Sequence, residues 1–249
     1  SAGAASAEAE SAACTVAVKE QQAQPPVPGP DSEPGPVPSL AKVSGLKVSS
    51  VGTDKVTLKW KKVSGAEGYE VLRYDSAKKT FVKAGTAAKA SFTDKKRSAG
   101  KPYRYKVKAY KNVSGKAYYG KASAELKVLT KPKAPSKVTA ERLTTAAVQI
   151  SFKPVTGASS YEICKYDKGS KKYKLAYQIK GKKLYIYKSK TKKWEYLRKI
   201  QKSASGRINA RLTGMKQEEM NQKYYVKALA SKKGYAARRS GQSKIVKVK

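Results

Sequence analysis

From residue 42 onward the chain alternates short runs, in which every second residue is apolar, with clusters of Gly, Ser, Asp and Lys. KVSGLKVSS, KVTLKW, GYEVLRY, KTFVKAG, ASFTD, YRYKVKAY and AELKVLT follow one another at short spacing. Val56, Leu58 and Trp60 stand opposite Thr57 and Lys59, and Tyr103, Tyr105, Val107 and Ala109 alternate in the same way. Successive side chains of a strand point to opposite faces, so each run offers one face to a core and one to water. Seven such runs with turn signals between them predict an antiparallel β-sandwich.

After KPKAP, residues 131–135, the pattern starts again with VTAERL, AVQISF, SYEICKY, YKLAYQI, GRINARL, YYVKALA and SKIVKVK. KKVSGAEGYEVLRYD at 61–75 is answered by KPVTGASSYEICKYD at 153–167, and Phe152 stands where Trp60 stood. Internal repetition of this kind argues for two copies of one structural unit. The second copy carries extra length near residues 181–205. There IYKSKTKKWEYLRKI echoes the preceding CKYDKGSKKYKLAYQI, with Trp194 answering Tyr173. The echo predicts a duplicated β-hairpin that widens one sheet or projects beyond it.

Ahead of both copies lies a different texture. Residues 1–24 are small and polar, and proline takes half the positions of PPVPGPDSEPGPVP at 25–38. Proline fixes φ and donates nothing to a ladder, so residues 1–37 read as a disordered Ala/Pro-rich tail and semi-rigid spacer. SAGAASA fits what signal cleavage or trimming would leave, and Cys14 lacks the apolar run that a lipidated cysteine needs. The resulting division is 1–37 tail and spacer, 38–130 first sandwich and 134–249 second sandwich with its inserted hairpin.

Several residues recur at positions that resemble the fibronectin type III domains of exported and surface proteins of Gram-positive bacteria. In the first copy these are Leu46 on the first strand, Trp60 closing the second, Gly65 to Tyr69 entering the third, and Gly100-Lys-Pro-Tyr103 entering the sixth. The resemblance spans roughly residues 38–249. It implies an all-β chain of two tandem immunoglobulin-like (fibronectin type III) antiparallel β-sandwiches. It also implies that Tyr103 is a corner tyrosine, packed inward with its hydroxyl bonded to nearby backbone; Tyr224 is aligned with it in the second copy.

Composition narrows the chemistry. Histidine is absent, which removes His-based triads, His general bases and most catalytic zinc sites. Cys14 and Cys164 are far apart and form no Cys-x-x-Cys spacing, so no metal knuckle or redox motif is expected. Carboxylates are few, with Asp75 and Asp167 read as turn formers and Glu218 and Glu219 adjacent in a loop. No enzyme activity and no cofactor are expected. No run approaches the ~18–20 apolar residues of a membrane span, and a monomer is expected.

The formal charge of +38 is unevenly placed. Residues 1–41 hold one basic residue, Lys19, against five acidic ones; that net −4 leaves +42 on residues 42–249. Such a field attracts polyanions, although lysines also solvate outward strand faces and discourage edge-to-edge pairing.

The inserted hairpin is the leading candidate site. Tyr185 and Tyr187 share one face, with Trp194 and Tyr196 opposite them across the turn, whereas Leu184, Ile186 and Leu197 point the other way. The four aromatics then form a shelf flanked by Lys188, Lys190, Lys192 and Lys193. Flat rings suit sugars and bases, and ammonium groups suit carboxylates and phosphates; the competing structural reading is that cross-strand aromatic pairs simply brace a long hairpin. Two further candidates are Tyr118 and Tyr119, beside the last loop of the first copy, and Arg238 and Arg239, in the matching loop of the second, which would meet a phosphate bidentately.

The leading functional expectation is a non-catalytic exported binding, adhesion or spacer module at the surface of a Gram-positive bacterium or outside it. Its expected partners are an anionic polysaccharide, a cell-wall polymer or a host matrix protein. The alternatives are a nucleic-acid binder using the basic surface and aromatic hairpin, which the proline-rich stalk and the spread of basic residues over both copies disfavour, and a non-catalytic appendage of a larger secreted enzyme.

Overall fold

The computed structural model describes residues 39–249. The expectations for the tail and for Cys14 lie outside the described residues.

The first sandwich is built from β1 (Lys47–Val51), β2 (Val56–Lys59), β3 (Gly68–Asp75), β4 (Thr80–Ala87), β5 (Ser91–Asp94), β6 (Pro102–Val113), β7 (Lys116–Tyr119) and β8 (Leu126–Leu129). One sheet runs β1-β2-β5; the other runs β4-β3-β6-β7, with β8 also on β6. The last strand is therefore split into β7 and β8, which the hydrophobic pattern does not announce. Ser123 sits at the break and repairs it, accepting from the Val107 N–H at 3.0 Å through its hydroxyl and donating its own N–H to the Val107 carbonyl. Val56, Leu58, Tyr69, Val71, Tyr105 and Val107 fill the core between the sheets.

The second sandwich repeats this plan with β9 (Thr139–Thr144), β10 (Ala147–Phe152), β11 (Ser160–Asp167), β12 (Lys172–Lys180), β13 (Lys183–Lys188), β14 (Lys193–Lys199), β15 (Gln201–Lys202), β16 (Ile208–Thr213), β17 (Lys223–Lys232), β18 (Tyr235–Arg239) and β19 (Val246–Lys247). A short 3₁₀ turn, Gln217–Glu219, lies between β16 and β17. The small sheet is β15-β16-β10-β9, and the large one β14-β13-β12-β11-β17-β18 with β19 on β17. The inserted hairpin widens the large sheet by two strands.

Two hydrogen bonds recur across the copies. The Tyr69 hydroxyl accepts from the Val63 N–H at 2.9 Å, and the Tyr161 hydroxyl from the Val155 N–H at 2.8 Å. Each pins the chain entering the third strand against an aromatic anchor, Trp60 at 5.2 Å from Tyr69 and Phe152 at 4.9 Å from Tyr161. The two sandwiches meet at Gly100 and Gly157. A Cβ on Gly157 would fall 2.4 Å from the Gly100 carbonyl oxygen, so only glycine fits there.

Tyr103 behaves as the resemblance implies, its hydroxyl accepting from the Ser98 N–H at 2.8 Å. The alignment of Tyr224 with it is corrected by strand register. Tyr105 lies opposite Arg73 and Tyr224 opposite Lys165, the matching residue of β11, so Tyr224 answers Tyr105. Gln222 therefore stands at the corner, and its side-chain amide donates to the Glu218 carbonyl at 3.2 Å.

Tyr69→Phe and Tyr161→Phe each leave a backbone N–H near the core without its acceptor, at an expected cost of about 1–2 kcal/mol. Urea unfolding followed at Trp60 for the first sandwich and Trp194 for the second measures it. An unchanged midpoint in either variant would remove the role assigned to that hydroxyl.

Candidate functional site

The inserted hairpin is a third copy of a local unit. The turns Ser76–Lys79, Lys168–Lys171 and Ser189–Lys192 each span four residues, and Lys79, Lys171 and Lys192 take φ values of 52°, 51° and 54°. The left-handed last residue lets the strands reverse within that length. Each turn is closed by one cross-strand aromatic pair: Tyr74–Phe81 at 5.3 Å, Tyr166–Tyr173 at 5.1 Å and Tyr187–Trp194 at 5.2 Å. Each hairpin also bulges at the same place, with Ala84, Ala176 and Leu197 as the extra residues. A bulge fixes register as well as twist, so Leu184 aligns with Val71 and Ile163, and all three are fully buried.

That register sets the faces of the hairpin. Leu184 is in the core, with Ile186 and Leu197 packed against it. Tyr185 faces Tyr196, ring centroids 6.0 Å apart, and Tyr187 faces Trp194. Tyr196 is 57% exposed and Tyr187 37%, while Tyr185 and Trp194 are half-buried. Lys188, Lys190, Lys192 and Lys193 are exposed around the turn, and Lys188 approaches Glu195 at 3.9 Å. The Tyr187–Trp194 pair is the one every such hairpin here carries. Tyr185–Tyr196 replaces Leu72 and Lys83 of the first copy and Cys164 and Leu175 of the second, and is new.

The other candidates lie elsewhere. Tyr118 and Tyr119 belong to β7; Tyr119 stacks near Tyr110 at 5.9 Å and is 48% exposed. Arg238 and Arg239 are on β18, opposite Ala230 and Leu229, and not in a loop. As neighbours on a strand they point to opposite faces, and Arg239 already donates through Nε to both oxygens of the buried Glu162 at 3.1 Å. They do not converge on one anion.

Side-chain geometry also assembles a cleft of about 670 Å³ at the turn end of the second sandwich. Tyr177, Ile186 and Tyr187 line it beside two ion pairs, Lys165–Glu219 and Lys174–Asp167. The second oxygen of Glu219 accepts from the Lys216 N–H at 3.1 Å, which fixes the carboxylate. Burial opposes its ionisation, yet the hydrogen bonds from Lys165 and Lys216 outweigh that and hold Glu219 below its ordinary 4.5. Hydrogen bonds from Lys174 and Ser170 bring Asp167 down to about 2, and burial pushes the Tyr177 hydroxyl up to about 12. No spacing in the sequence announces this cleft, because it is gathered from β11, β12, β13 and the 3₁₀ turn. Among the described residues no three His, Cys, Asp or Glu side chains are grouped to hold a metal, and no helix is long and apolar enough to cross a membrane.

No family model and no curated protein matches the chain. Solved structures of similar fold include a two-domain fibronectin type III segment of chicken tenascin, 15% identical, covering 82% of this chain and 98% of that one with a TM-score of 0.43. The FN1–FN3 domains of chicken CNTN1 are 13% identical over 85% of this chain and 67% of theirs, TM-score 0.33. The domain of human fibronectin type III domain containing protein 3 is 20% identical over 40% of this chain and 94% of its own, TM-score 0.35. These likenesses concern the fold alone, and the strand order of the two sandwiches, all antiparallel and each of fibronectin type III pattern, stands without them.

The depressed carboxyl of Glu219 makes a pH prediction. A group held below its ordinary value stabilises the fold above that value and ceases to do so as pH falls through the depressed one. The stability advantage of the wild type over Glu219→Gln is therefore constant near neutrality and fades on acidification below about pH 4.5. Urea unfolding of both proteins across the acid range reads this directly, and a difference that persists unchanged in acid contradicts it.

Proposed function

We propose that the chain is a non-catalytic binding module of an exported or surface protein of a Gram-positive bacterium, and that it contacts an anionic polysaccharide, a cell-wall polymer or a host matrix protein. The observation that carries this reading is the Tyr185–Tyr196 pair, with Tyr196 exposed, on the hairpin of the lysine-bearing turn. The pair is absent from the two other hairpins of the same design, and nothing in the bracing of a turn requires it. A ring as exposed as Tyr196 contributes little to folding and is free to lie against a pyranose or a planar group of a partner. The surrounding charge of the body brings a polyanion to it by long-range attraction. Residues 1–37 serve in this reading as a spacer.

Retention on immobilised heparin, teichoic acid or matrix protein across a salt gradient tests it. The Coulombic part of retention falls steeply with salt and is the same for any polyanion of equal charge density. A salt-resistant remainder on one ligand is expected, reduced at least several-fold by Tyr196→Ala with no change in thermal midpoint. Trp194→Ala is expected to lower retention and the midpoint together, because its pair also closes the turn. If Tyr196→Ala leaves every retention unchanged, the shelf has no part in binding.

A further inference from the structure

Beyond the aromatic shelf, the inserted segment builds a second site on the opposite side of the sandwich. After β14 the chain leaves the large sheet: the Ile200 N–H donates to the Lys182 carbonyl at 2.9 Å, and two residues later Lys202 pairs with Ile208 on the small sheet. This crossing lays Arg198 and Lys199 beside Arg211, Gln149, Gln201 and Asn209, which together line a cleft of about 320 Å³. Three cations and three amides face the cleft, and no carboxylate lines it.

The behaviour of the arginines sets this cleft apart from the general excess of surface charge. Nine lie among the described residues. Arg73 and Arg97 grip Asp94, Arg104 grips Glu125, Arg239 grips Glu162, Arg207 donates to the Lys137 and Ser151 carbonyls, and Arg142 to Asn221. Only Arg198, Arg211 and Arg238 have no such partner, and two of those three converge here. The Nε of Arg198, like that of Arg238 elsewhere, is buried without any hydrogen-bond partner, a state that costs free energy until an acceptor arrives; Arg198 alone has a second unpartnered arginine beside it. Mutual repulsion of Arg198, Lys199 and Arg211 adds to that cost. All of it is relieved by one multiply charged acceptor.

We propose that this cleft binds a single tetrahedral oxyanion, a sulfate or phosphate group carried by a polymer or free in solution. Two guanidinium forks, one ammonium and three amide NH₂ groups present more donors than the two oxygens of a carboxylate can take up. They match the three or four oxygens of a sulfate or phosphate. The site does not depend on the shelf, since it shares no side chain with Tyr185, Tyr187, Trp194 or Tyr196.

The test uses the full chain and the inorganic anions. Sodium sulfate and sodium phosphate are titrated at constant ionic strength against chloride, with the Nε–H resonances of the arginines followed by NMR. Saturable shifts of Arg198 and Arg211 are expected with sulfate or phosphate and not with chloride, and the tighter of the two identifies the group carried by the natural ligand. Arg198→Gln/Arg211→Gln should lose binding at least tenfold, Arg211→Lys should recover only part of it, and Lys61→Gln/Lys62→Gln, with the same loss of charge on the exposed surface of the first sandwich, should leave it unchanged. Sulfate raises the midpoint of many proteins by exclusion from their surface, so the thermal readout is the extra rise in the wild type over the double arginine variant. Without anion that variant should melt no lower than the wild type, because it removes an unpartnered buried donor. Linear shifts spread over all the arginines, or an equal loss in the double lysine variant, overturn the site. Failure of Tyr196→Ala to affect retention would sink the shelf and leave this result untouched.

Discussion

A strand has two faces, and burial of Leu184 settles which face of the inserted hairpin is which. A shift of one residue would send Leu184 and Ile186 into water and the tyrosines into the core. Register is held from both ends: by the four-residue turn with Lys192 left-handed, and by the bulge at Leu197. The same two devices hold the hairpins of β3–β4 and β11–β12. The outward position of Tyr185 and Tyr196 is thus a consequence of a scaffold used three times, and the residues placed on it are what differ. Extension of the large sheet, the crossing to the small sheet at Ile200 and the cleft at Arg198 all follow from that single placement.

The two copies show how one buried tyrosine hydroxyl can be treated in different ways. Tyr105 donates to Asp94 at 2.8 Å, and the same carboxylate holds Arg73 and Arg97. In the second copy Leu212 occupies the place of Asp94, and the Tyr224 hydroxyl is buried with no partner. Burial, with a smaller push from Tyr177 and Glu219, raises its pKa. Lys165, in place of Arg73, turns instead to Glu219 in the chain between β16 and β17. A charge network centred on a buried carboxylate in one copy has become a single part-buried ion pair in the other. Removing one partner of a buried network is expensive, whereas exchanging carboxylate and guanidinium together for leucine and lysine avoids an unpaired charge. The 670 Å³ cleft lies beside that ion pair.

What was legible in the sequence follows from this division between local and distant effects. Alternation locates the strands, the repeat locates the second copy, and the echo of CKYDKGSKKYKLAYQI locates the third hairpin, with Tyr185 and Tyr187 on one face and Trp194 and Tyr196 opposite them, while the individual pairs come from the strand register. All of these are set by neighbours within a few residues. The corner is ambiguous in the sequence because Tyr103, Tyr105, Tyr224 and Tyr225 offer two registers two residues apart, and only the pairing with Arg73 and Lys165 separates them. Arg238 and Arg239 read as a loop because β18 is short and its partner β17 lies across a turn from it. The sites at Glu219 and Arg198 could not be read at all. Their members come from β11, β12, β13 and the 3₁₀ turn in one case, and from β14, β15, β10 and β16 in the other, so no spacing along the chain records them.

In the proposed reading, net charge and specific recognition fall to different residues. Lysine outnumbers arginine heavily and is spread over both copies, which gives a diffuse field, strong in attraction at a distance and weak in discrimination. Arginine is scarce, and most of its few copies are spent on fixed carboxylates and carbonyls. A guanidinium that donates in a planar fork discriminates among anions by geometry in a way that an ammonium does not. The inserted segment supplies the one described cleft where two unpartnered arginines meet, and on its other face the one aromatic pair that the hairpin design does not need. A field shared by both sandwiches would draw a polyanion to either copy. Among the described residues only the second copy carries both the added aromatic pair and a cleft of unpartnered arginines, so the extra strands are where the two copies differ most.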